Sequence, residues 1–177
     1  RCLSRGLGDV YKRQVFNLAS MSGIPRVDGV TWGAEDLSSA LGAKAKRDSE
    51  GNYLEVFSFV RSTCLLAAVA GGAQPIDAVY VDIENLDGLA KECKTGADMG
   101  YTGKVTIHPS QLEIVNKAFT PSKEEIIEAS ELIDAFSQNQ KEGKMAFVFK
   151  GQMVDVPHLT RAKKILASAL QIESKET

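Results

Sequence analysis

This 177-residue sequence lacks a membrane-length apolar run, an excess of basic charge and a cysteine framework. Its longest apolar run, CLLAAVAGGA, is about half of the roughly 20 residues that a membrane-spanning helix needs. The net charge is −2, whereas a nucleic-acid-binding domain usually has a strongly basic face. Cys64 and Cys93 have neither zinc-ligand spacing nor a disulfide pattern. We therefore expect a cytoplasmic protein with no membrane or nucleic-acid partner, while noting that a truncated start would hide a targeting segment.

The first fourteen residues differ from the rest of the chain. The stretch SRGLGDVYKRQ is rich in Gly and Arg and has no apolar period, as in a disordered basic arm or a nucleic-acid patch. Its back-translation resembles the adaptor that transposon-based sequencing libraries attach to DNA, and we prefer this third interpretation. Residues 1–14 are then not native, and the true sequence begins near Val15, inside a longer gene.

From Val15 onward, β-rich and helical patterns alternate. Three β-rich runs, Arg26–Gly33, Ile76–Ile83 and Gly103–His108, are each followed by a helical pattern. Such alternation predicts βα units and a parallel sheet. An open three-stranded sheet fits, and so does the C-terminal part of a TIM-type (β/α)8 barrel. The abrupt start favours the partial barrel.

Local signals predict the helix ends and the C-terminal region. Gly71 and Gly72 end a helix that starts near Tyr53, a second helix spans Asn85–Met99, and Pro109 opens a third. Pro121, Ser122 and Glu125 open a fourth, and a hairpin around Lys150-Gly151 precedes an amphipathic helix over Pro157–Ile172. We expect residues 15–120 to hold the barrel elements and residues 121–177 to form a helical linker and a lid.

Three polar residues lie where the β-rich runs end, and ligands gather at the carboxyl ends of parallel strands. Asp36 fits a helix N-cap or a Mg²⁺ ligand. Asp82 would lie inside the barrel, where a carboxylate needs a structural partner or a role in the site, and we include it among the substrate contacts. His108 fits a packed histidine or a substrate contact.

The sequence contains, in this order, the stretches WGAEDLSSALGA, IDAVYVDIENLDGLAKECKTGADMGYTGKVTIHPSQLEIVNKAFTPSKEEI and GKMAFVFKGQMVDVPHLTRAK. Together they resemble the citrate lyase β-subunit-like, or HpcH/HpaI aldolase, family, and its citramalyl-CoA and malyl-CoA lyase-like branch in particular. The resemblance implies a Mg²⁺-dependent lyase with a β/α barrel, acting on an acyl-CoA thioester. Malyl-CoA would give acetyl-CoA and glyoxylate, and citramalyl-CoA would give acetyl-CoA and pyruvate.

The resemblance also implies roles for single residues. Asp36 matches a metal carboxylate, Ile107 and His108 match a substrate- and CoA-contacting strand end, and Asp155 matches an acid/base aspartate. From the residues alone, Asp155 fits a turn or helix cap equally. The family's other metal carboxylate, its substrate arginine and its CoA-binding lysines would precede Val15, and neither Glu35 nor Glu84 replaces that carboxylate. Lys44, Lys46 and Arg47 are interpreted as a solvated loop.

Two alternatives to the lyase remain: a malyl-CoA thioesterase and a non-autonomous subunit of a carrier-linked citrate lyase. The resemblance further implies a homo-oligomer, a trimer or hexamer, in which Asp155 on the lid reaches a neighbouring subunit. We expect the chain by itself to be inactive, because a partial barrel lacks one metal carboxylate and leaves strand edges unpaired.

Overall fold

The computed structural model describes residues 15–18, 20, 23–24 and 27–176. The interpretation of residues 1–14 lies outside this range. The chain divides after Phe119 into two compact units, which are described separately. No helix in the described part of the chain is both long enough and apolar enough to cross a membrane.

The first unit contains a three-stranded parallel sheet. Its strands are β1 (Gly29–Val30), β2 (Gln74–Asp77) and β3 (Gly103–Lys104), in the order β1-β2-β3. Gly29 lies opposite Gln74, and Ile76 lies opposite Gly103. The predicted parallel pairing is confirmed, but the strands are shorter than the β-rich runs. In particular, β2 ends at Asp77, and the stretch that follows it is not a strand.

Within residues 27–119, the α-helices beside the sheet are α1 (Ala34–Leu41), α2 (Glu55–Gly71), α3 (Leu86–Met99) and α4 (Leu112–Phe119). A single 3-10 turn, Pro109–Gln111, precedes α4. The predicted ends of α2 and α3 are confirmed. Gly72 ends α2 with φ of 76°, a left-handed conformation that glycine adopts without a steric penalty. The Asn85 side chain accepts the Gly88 N–H at 2.8 Å and caps α3.

Apolar side chains of α2 and α3 form two separate clusters in the first unit. Phe57 and Cys64 of α2 pack with Trp32, which meets Tyr53 edge to face at 5.2 Å between ring centroids. Leu89 and Cys93 of α3 pack with Val115 of α4. These clusters fix the helices that follow β1 and β2, and with them the residues at the strand ends.

The second unit is a helical pair that carries a hairpin. Its elements are α5 (Lys123–Lys141), β4 (Phe147–Phe149), β5 (Gln152–Val154) and α6 (Val156–Glu176). The predicted hairpin is confirmed, with Lys150 and Gly151 at its turn and Val148 opposite Met153. Ser122 and Glu125 form the predicted capping box of α5. The rings of Phe136 and Phe147 meet edge to face at 4.8 Å and join α5 to the hairpin.

Candidate functional site

The carboxyl ends of β1, β2 and β3 lie at one edge of the sheet, because all three strands are parallel. The segments that follow these strands carry Asp36, Asp82, Ile107 and His108, respectively. The topology therefore brings the predicted residues of the first unit to the edge at which parallel α/β sheets bind ligands.

Asp36 is the third residue of α1, and its N-cap is Gly33 rather than Asp36. The N-cap interpretation of Asp36 is therefore wrong. Its Oδ2 atom folds back over Gly33, the N-cap of α1, since a Cβ added to Gly33 would lie 3.1 Å from it. The structure gives the exposed Asp36 carboxylate no hydrogen bond or ion pair within residues 27–176. A carboxylate in the first turn of a helix is stabilised by the helix dipole, and this one keeps its oxygens free.

A tight loop over residues 43–53 stands beside α1. The Asp48 carboxylate accepts the N–H groups of Glu50 and Asn52, both at 2.9 Å, and Arg47 pairs with Tyr53 in an antiparallel bridge. The adjacent side chains of Lys46 and Arg47 form ion pairs with acids on two different helices. Lys46 pairs with Glu35 of α1, and Arg47 pairs with Glu92 of α3 at 2.5 Å.

The interpretation of these cations as a solvated loop is therefore wrong for Lys46 and Arg47, whose side chains are 23% and 26% exposed. The Arg47 guanidinium also stacks on the Tyr53 ring, 3.8 Å from the ring centroid. Arg47 lies in a polar stretch of sequence, yet it pairs with Glu92, 45 positions away. No local sequence pattern indicates such a pair. Lys44, by contrast, is exposed as expected.

Asp82 does not lie in a strand or inside the sheet. It is exposed in the segment after β2, and its Oδ1 accepts the N–H groups of Glu84 and Asn85 at 3.3 and 3.2 Å. This is an Asx-type turn that leads into α3, so the structural partner of Asp82 is backbone. Glu84 is exposed in the same turn.

Ile107 and His108 follow β3, and both are exposed. The Ile107 N–H donates to Gln111 Oε1 at 3.0 Å, and the Gln111 amide donates to the Tyr80 carbonyl at 2.8 Å. His108 Nδ1 accepts the Ser110 N–H at 3.2 Å and so starts the 3-10 turn. Gln111 is fully buried and ties the segments after β2 and β3 together. The sequence analysis did not single it out, although it lies in the quoted TIHPSQ stretch.

The buried acid of β2 is Asp77, which the sequence analysis also missed. Its carboxylate accepts from Trp32 Nε1 at 3.0 Å, Arg61 Nη2 at 2.7 Å and Lys104 Nζ at 3.1 Å. Lys104 also donates to Glu92 at 2.7 Å. These contacts join β2, β3, α2 and α3. The fully satisfied network is structural, because every one of its charges already has a partner.

Burial and neighbouring charges shift pKa values in this core. Burial favours a higher pKa for Asp77, but the positive charges of Lys104 and Arg61 outweigh it and hold that pKa below its ordinary value. Burial raises the pKa of Cys64 and of Cys93 to about 11. Both cysteines are free thiols, and they remain protonated and weakly nucleophilic at neutral pH.

Two cavities open on this side of the first unit. One of about 440 Å³ lies between the 43–53 loop and the segment after β2, and its lining includes Glu35, Lys46, Arg47, Tyr80 and Asp82. The other, of about 420 Å³, lies between α2 and α3. The Tyr80 hydroxyl stands over the first turn of α3, where a Cβ on Gly88 would approach it to 2.2 Å. Only glycine fits at position 88 without movement of Tyr80.

The described residues contain no cluster of three or more acidic, histidine or cysteine side chains suited to a metal ion. Asp36 still fits Mg²⁺ chemically, because Mg²⁺ is usually held by one or two carboxylates together with water and substrate oxygens. Its carboxylate is free, and it projects over a glycine that leaves the space open.

Asp155 belongs to the second unit and immediately precedes α6. Its Oδ1 lies 2.6 Å from His158 Nδ1, and its carbonyl accepts the His158 and Leu159 N–H groups at 3.0 and 3.2 Å. Both side chains of the pair are partly exposed. These contacts are typical of the first turn of a helix, so they agree with the interpretation of Asp155 as a helix-cap residue.

The chain belongs to the HpcH/HpaI aldolase/citrate lyase family, whose model matches residues 12–109. It is similar to the mitochondrial citramalyl-CoA lyase of Mus musculus, with 40% identity over 149 residues, 84% of this chain and 43% of that protein. It is also similar to the (3S)-malyl-CoA thioesterase of Cereibacter sphaeroides, with 37% identity over 155 residues, 88% of this chain and 53% of that protein.

The same fold occurs in the crystal structure of CitE from Mycobacterium tuberculosis in complex with magnesium, acetoacetate and coenzyme A. The TM-score is 0.77 at 40% identity, and the match covers 89% of this chain and 58% of that one. The chain spans about half the length of the curated relatives it matches. Its mixed α/β fold and its membership of the HpcH/HpaI aldolase/citrate lyase family are thereby established.

Proposed function

We propose that this chain forms the C-terminal part of a Mg²⁺-dependent carbon–carbon lyase that acts on a CoA thioester. In this proposal β1, β2 and β3 are consecutive strands of an eight-stranded barrel, residues 15–120 belong to that barrel, and residues 121–177 form a linker and lid. Malyl-CoA would be cleaved to acetyl-CoA and glyoxylate, or citramalyl-CoA to acetyl-CoA and pyruvate.

The observation that carries the proposal is the free carboxylate of Asp36. It lies at the ligand-binding edge of the sheet, in a chain 40% identical to a protein crystallised with magnesium and coenzyme A. Five other acids of the first unit are engaged: Asp77 and Glu92 in the buried network, Glu35 by Lys46, and Asp48 and Asp82 by backbone. A carboxylate with no hydrogen bond or ion pair to residues 27–176 is available for a cation.

Each proposed residue would have a role in the cleavage reaction. Cleavage breaks the bond between the carbinol carbon and the neighbouring CH2 group. The hydroxyl proton passes to water, the oxo acid forms, and the electron pair of the broken bond passes to a thioester enolate. Mg²⁺, when bound, would polarise the oxygens of the oxo-acid half and stabilise the developing negative charge. Asp36 would hold the ion in place.

The enolate must then receive a proton at carbon, and we assign that step to the Asp155 carboxylic acid. Ile107, His108 and Asp82 would line the thioester side of the site, where Gln111 fixes the backbone at Ile107. A lid that carries Asp155 would exclude water, so that one chosen acid protonates the enolate.

A chimera tests the proposal. The N-terminal segment of M. tuberculosis CitE that precedes the match would be fused to residues 15–177 and assayed with Mg²⁺ and each CoA ester. We expect Mg²⁺-dependent formation of acetyl-CoA. Asp36→Asn should lower kcat/KM at least about 100-fold, because a metal contributes several kcal/mol of charge stabilisation and each 1.36 kcal/mol is a factor of ten.

The matched control is Asp98→Asn, which changes an exposed acid on α3 that forms a surface ion pair with Lys94. It should leave turnover unchanged. Equal turnover and an equal Mg²⁺ dependence in the chimera and its Asp36→Asn variant would reject the metal role of Asp36.

The same assay separates the lyase from the thioesterase that the Cereibacter relative suggests. A thioesterase would release free coenzyme A and the hydroxy acid, whereas the lyase releases acetyl-CoA and no free thiol. A chimera that acts only on the substrate attached to an acyl-carrier protein would instead support the carrier-linked citrate lyase subunit.

We further propose that the protein works as a homo-oligomer, a trimer or hexamer, in which Asp155 serves the site of a neighbouring subunit. Chimeras with Asp36→Asn and with Asp155→Asn, each nearly inactive alone, would be mixed. Mixed oligomers should regain part of the activity, because some sites then combine an intact Asp36 with a neighbour's intact Asp155. If subunit exchange is demonstrated and no activity returns, Asp155 does not act in trans.

A further inference from the structure

We infer that His158 is a positioning residue for Asp155: its imidazole holds one oxygen of the Asp155 carboxyl group and leaves the other oxygen to transfer the proton. The inference rests on the proposed function, in which Asp155 protonates the thioester enolate. It assigns a role to a histidine that lies three positions after Asp155 and that the proposed mechanism does not otherwise use.

The carboxylate of Asp155 is not needed to bond the backbone at the start of α6. A capping side chain at this position would accept the N–H of the second or third helical residue. The second residue of α6 is Pro157, which has no N–H, and the N–H of the third, His158, donates to the Asp155 carbonyl at 3.0 Å. The backbone carbonyl therefore caps the helix, and the carboxylate is left for a side-chain partner.

That partner is the His158 imidazole. Asp155 Oδ1 lies 2.6 Å from His158 Nδ1, whereas the Asp155 peptide nitrogen lies 3.3 Å from the same ring nitrogen. The shorter contact is the stronger hydrogen bond, so Nδ1 carries the proton and donates to Oδ1. Asp155 Oδ2 has no hydrogen bond to residues 27–176, and both side chains are about half exposed. One oxygen of the carboxyl group is thus held, and the other is open.

The His158 ring has no competing partner in the part of the chain that the structure describes. The ring lines a cavity of about 330 Å³ between α5, the hairpin and α6, together with Glu125, Glu128 and Arg161. Neither glutamate forms a hydrogen bond or an ion pair with the imidazole. The ring is therefore committed to Asp155, although two other acids line the same cavity.

This arrangement suits a carboxylic acid that protonates carbon. In that step the Oδ2–H bond of Asp155 breaks, a C–H bond forms on the enolate, and the electron pair of the O–H bond remains on the carboxylate. The Nδ1–H of His158 stabilises the new negative charge and restricts the carboxyl group to one orientation. Without the imidazole, the carboxyl group would rotate about its side-chain bonds, and fewer of its orientations would reach the enolate carbon.

The contact is tested in the full 177-residue chain by ¹⁵N NMR of its two histidines, at a pH at which imidazole is neutral. His158 should be the Nδ1–H tautomer. His108, whose Nδ1 accepts the Ser110 N–H at 3.2 Å, should be the Nε2–H tautomer and is the internal control. Asp155→Ala should convert His158 alone to the Nε2–H tautomer. A wild-type His158 in the Nε2–H form would overturn the inference without bearing on the proposed function.

The catalytic consequence is tested in the chimera with the CitE N-terminal segment, as His158→Phe, His158→Asn, Arg161→Gln and Asp155→Asn. We expect His158→Phe to lower kcat about 10-fold or more with little change in KM, because a hydrogen bond to a charged group is lost at the proton-transfer step. His158→Asn should retain most of the turnover, since its amide nitrogen can replace Nδ1. Arg161→Gln, which removes a charge from the same cavity, should behave as the wild type.

The inference is overturned if His158→Phe has the kcat of the wild type, or if Arg161→Gln loses as much turnover as His158→Phe. Circular dichroism verifies the fold of each variant. An inactive Asp155→Asn chimera together with a fully active His158→Phe chimera would overturn the positioning role alone. A fully active Asp155→Asn chimera would overturn the acid role of Asp155 in the proposed function, and the inference with it.

Discussion

The two units of the chain use charge in opposite ways. In the first unit, Asp77 and Lys104 are completely buried and share a network with Arg61 and Glu92. In the second unit, the ion pairs among the described residues lie at the surface, as in Lys150 with Glu131. The first unit therefore depends on charges that must remain paired, and the second depends on apolar packing and helix caps.

This difference matters because a buried ion is costly only when it loses its partner. Each member of the Asp77 network contacts another secondary-structure element, so the loss of one charge affects two strands and two helices. A surface ion pair contributes little, since water replaces either partner. We therefore expect stability of the first unit, and not of the second, to respond to charge removal and to acid.

The largest effect is expected for Lys104→Met. It leaves Asp77 and Glu92 with less positive charge in a dry environment, and we expect a loss of about 3–5 kcal/mol in the free energy of unfolding. Trp32, the only tryptophan in the sequence, donates to Asp77, so its fluorescence during urea unfolding reports on the first unit.

The control is Lys150→Met, the same substitution in a surface ion pair. Lys150 Nζ lies 2.7 Å from Glu131 Oε2. Trp32 fluorescence should give the same urea midpoint for Lys150→Met as for the wild type. Equal midpoints for both variants would show that the buried network does not stabilise the first unit.

A smaller effect is expected from acid. The folded pKa of Asp77 lies below the ordinary value of 3.8, so its ionised form is favoured in the folded state. The contribution of Asp77 is fully present above the unfolded pKa and is lost as the pH falls below about 4 through the folded pKa. Unfolding of the first unit, followed by Trp32 fluorescence from pH 6 to pH 2, should show this loss.

The comparison variant for the acid titration is Asp77→Asn, which has no carboxylate to protonate. It should be less stable than the wild type near pH 6, and its stability should depend less on pH below 4. A wild-type profile as flat as that of Asp77→Asn in this range would contradict the lowered pKa.

The smallest effect is expected in the second unit. Ser122 accepts the Glu125 N–H at 3.1 Å and caps α5, and Ser122→Ala should cost about 1 kcal/mol. Hydrogen exchange of amides in Lys123–Lys141 should become faster, while the urea midpoint of Trp32 fluorescence should not change. Ser137→Ala, in the interior of α5, is the control. A shift in Trp32 fluorescence would show that the two units do not unfold independently.

Local residue chemistry was sufficient to predict most helix ends. Gly72, Asn85 and Ser122 act within one turn of the backbone groups that they satisfy, so a short window of sequence contains the whole interaction. The hairpin turn at Lys150 and Gly151 is equally local. Parallel pairing of the strands followed from the alternation of patterns, because such strands need a crossover connection.

Strand length and the identity of the buried acid could not be predicted in this way. The alternation of Val79, Val81 and Ile83 around Asp82 is typical of a strand, yet the strand ends earlier, at Asp77. What buries Asp77 is Lys104, 27 positions away, and Arg61, 16 positions away. No pattern in a single sequence indicates that Asp77 pairs with these two distant cations.

In the candidate site, too, local sequence predicts some features, whereas others depend on residues that are distant in the sequence. The position of Asp36 at the start of a helix after β1 follows from local sequence, but the ion pair of the adjacent Glu35 with Lys46, 11 positions later, does not. The placement of Gln111 between two loops likewise depends on Tyr80, 31 positions away. Contacts between distant segments decide which side chains at this edge are free.

The 43–53 loop has a further consequence for recognition. Asp48 closes its turn, Lys46 and Arg47 tie it to two helices, and the Arg47–Tyr53 bridge joins its two ends. A ligand that binds against a disordered loop has a lower affinity, because ordering the loop costs conformational entropy. The 43–53 loop is already ordered by the protein's own ion pairs. The surface that it presents to the neighbouring cavity therefore has the same shape before and after a molecule binds there.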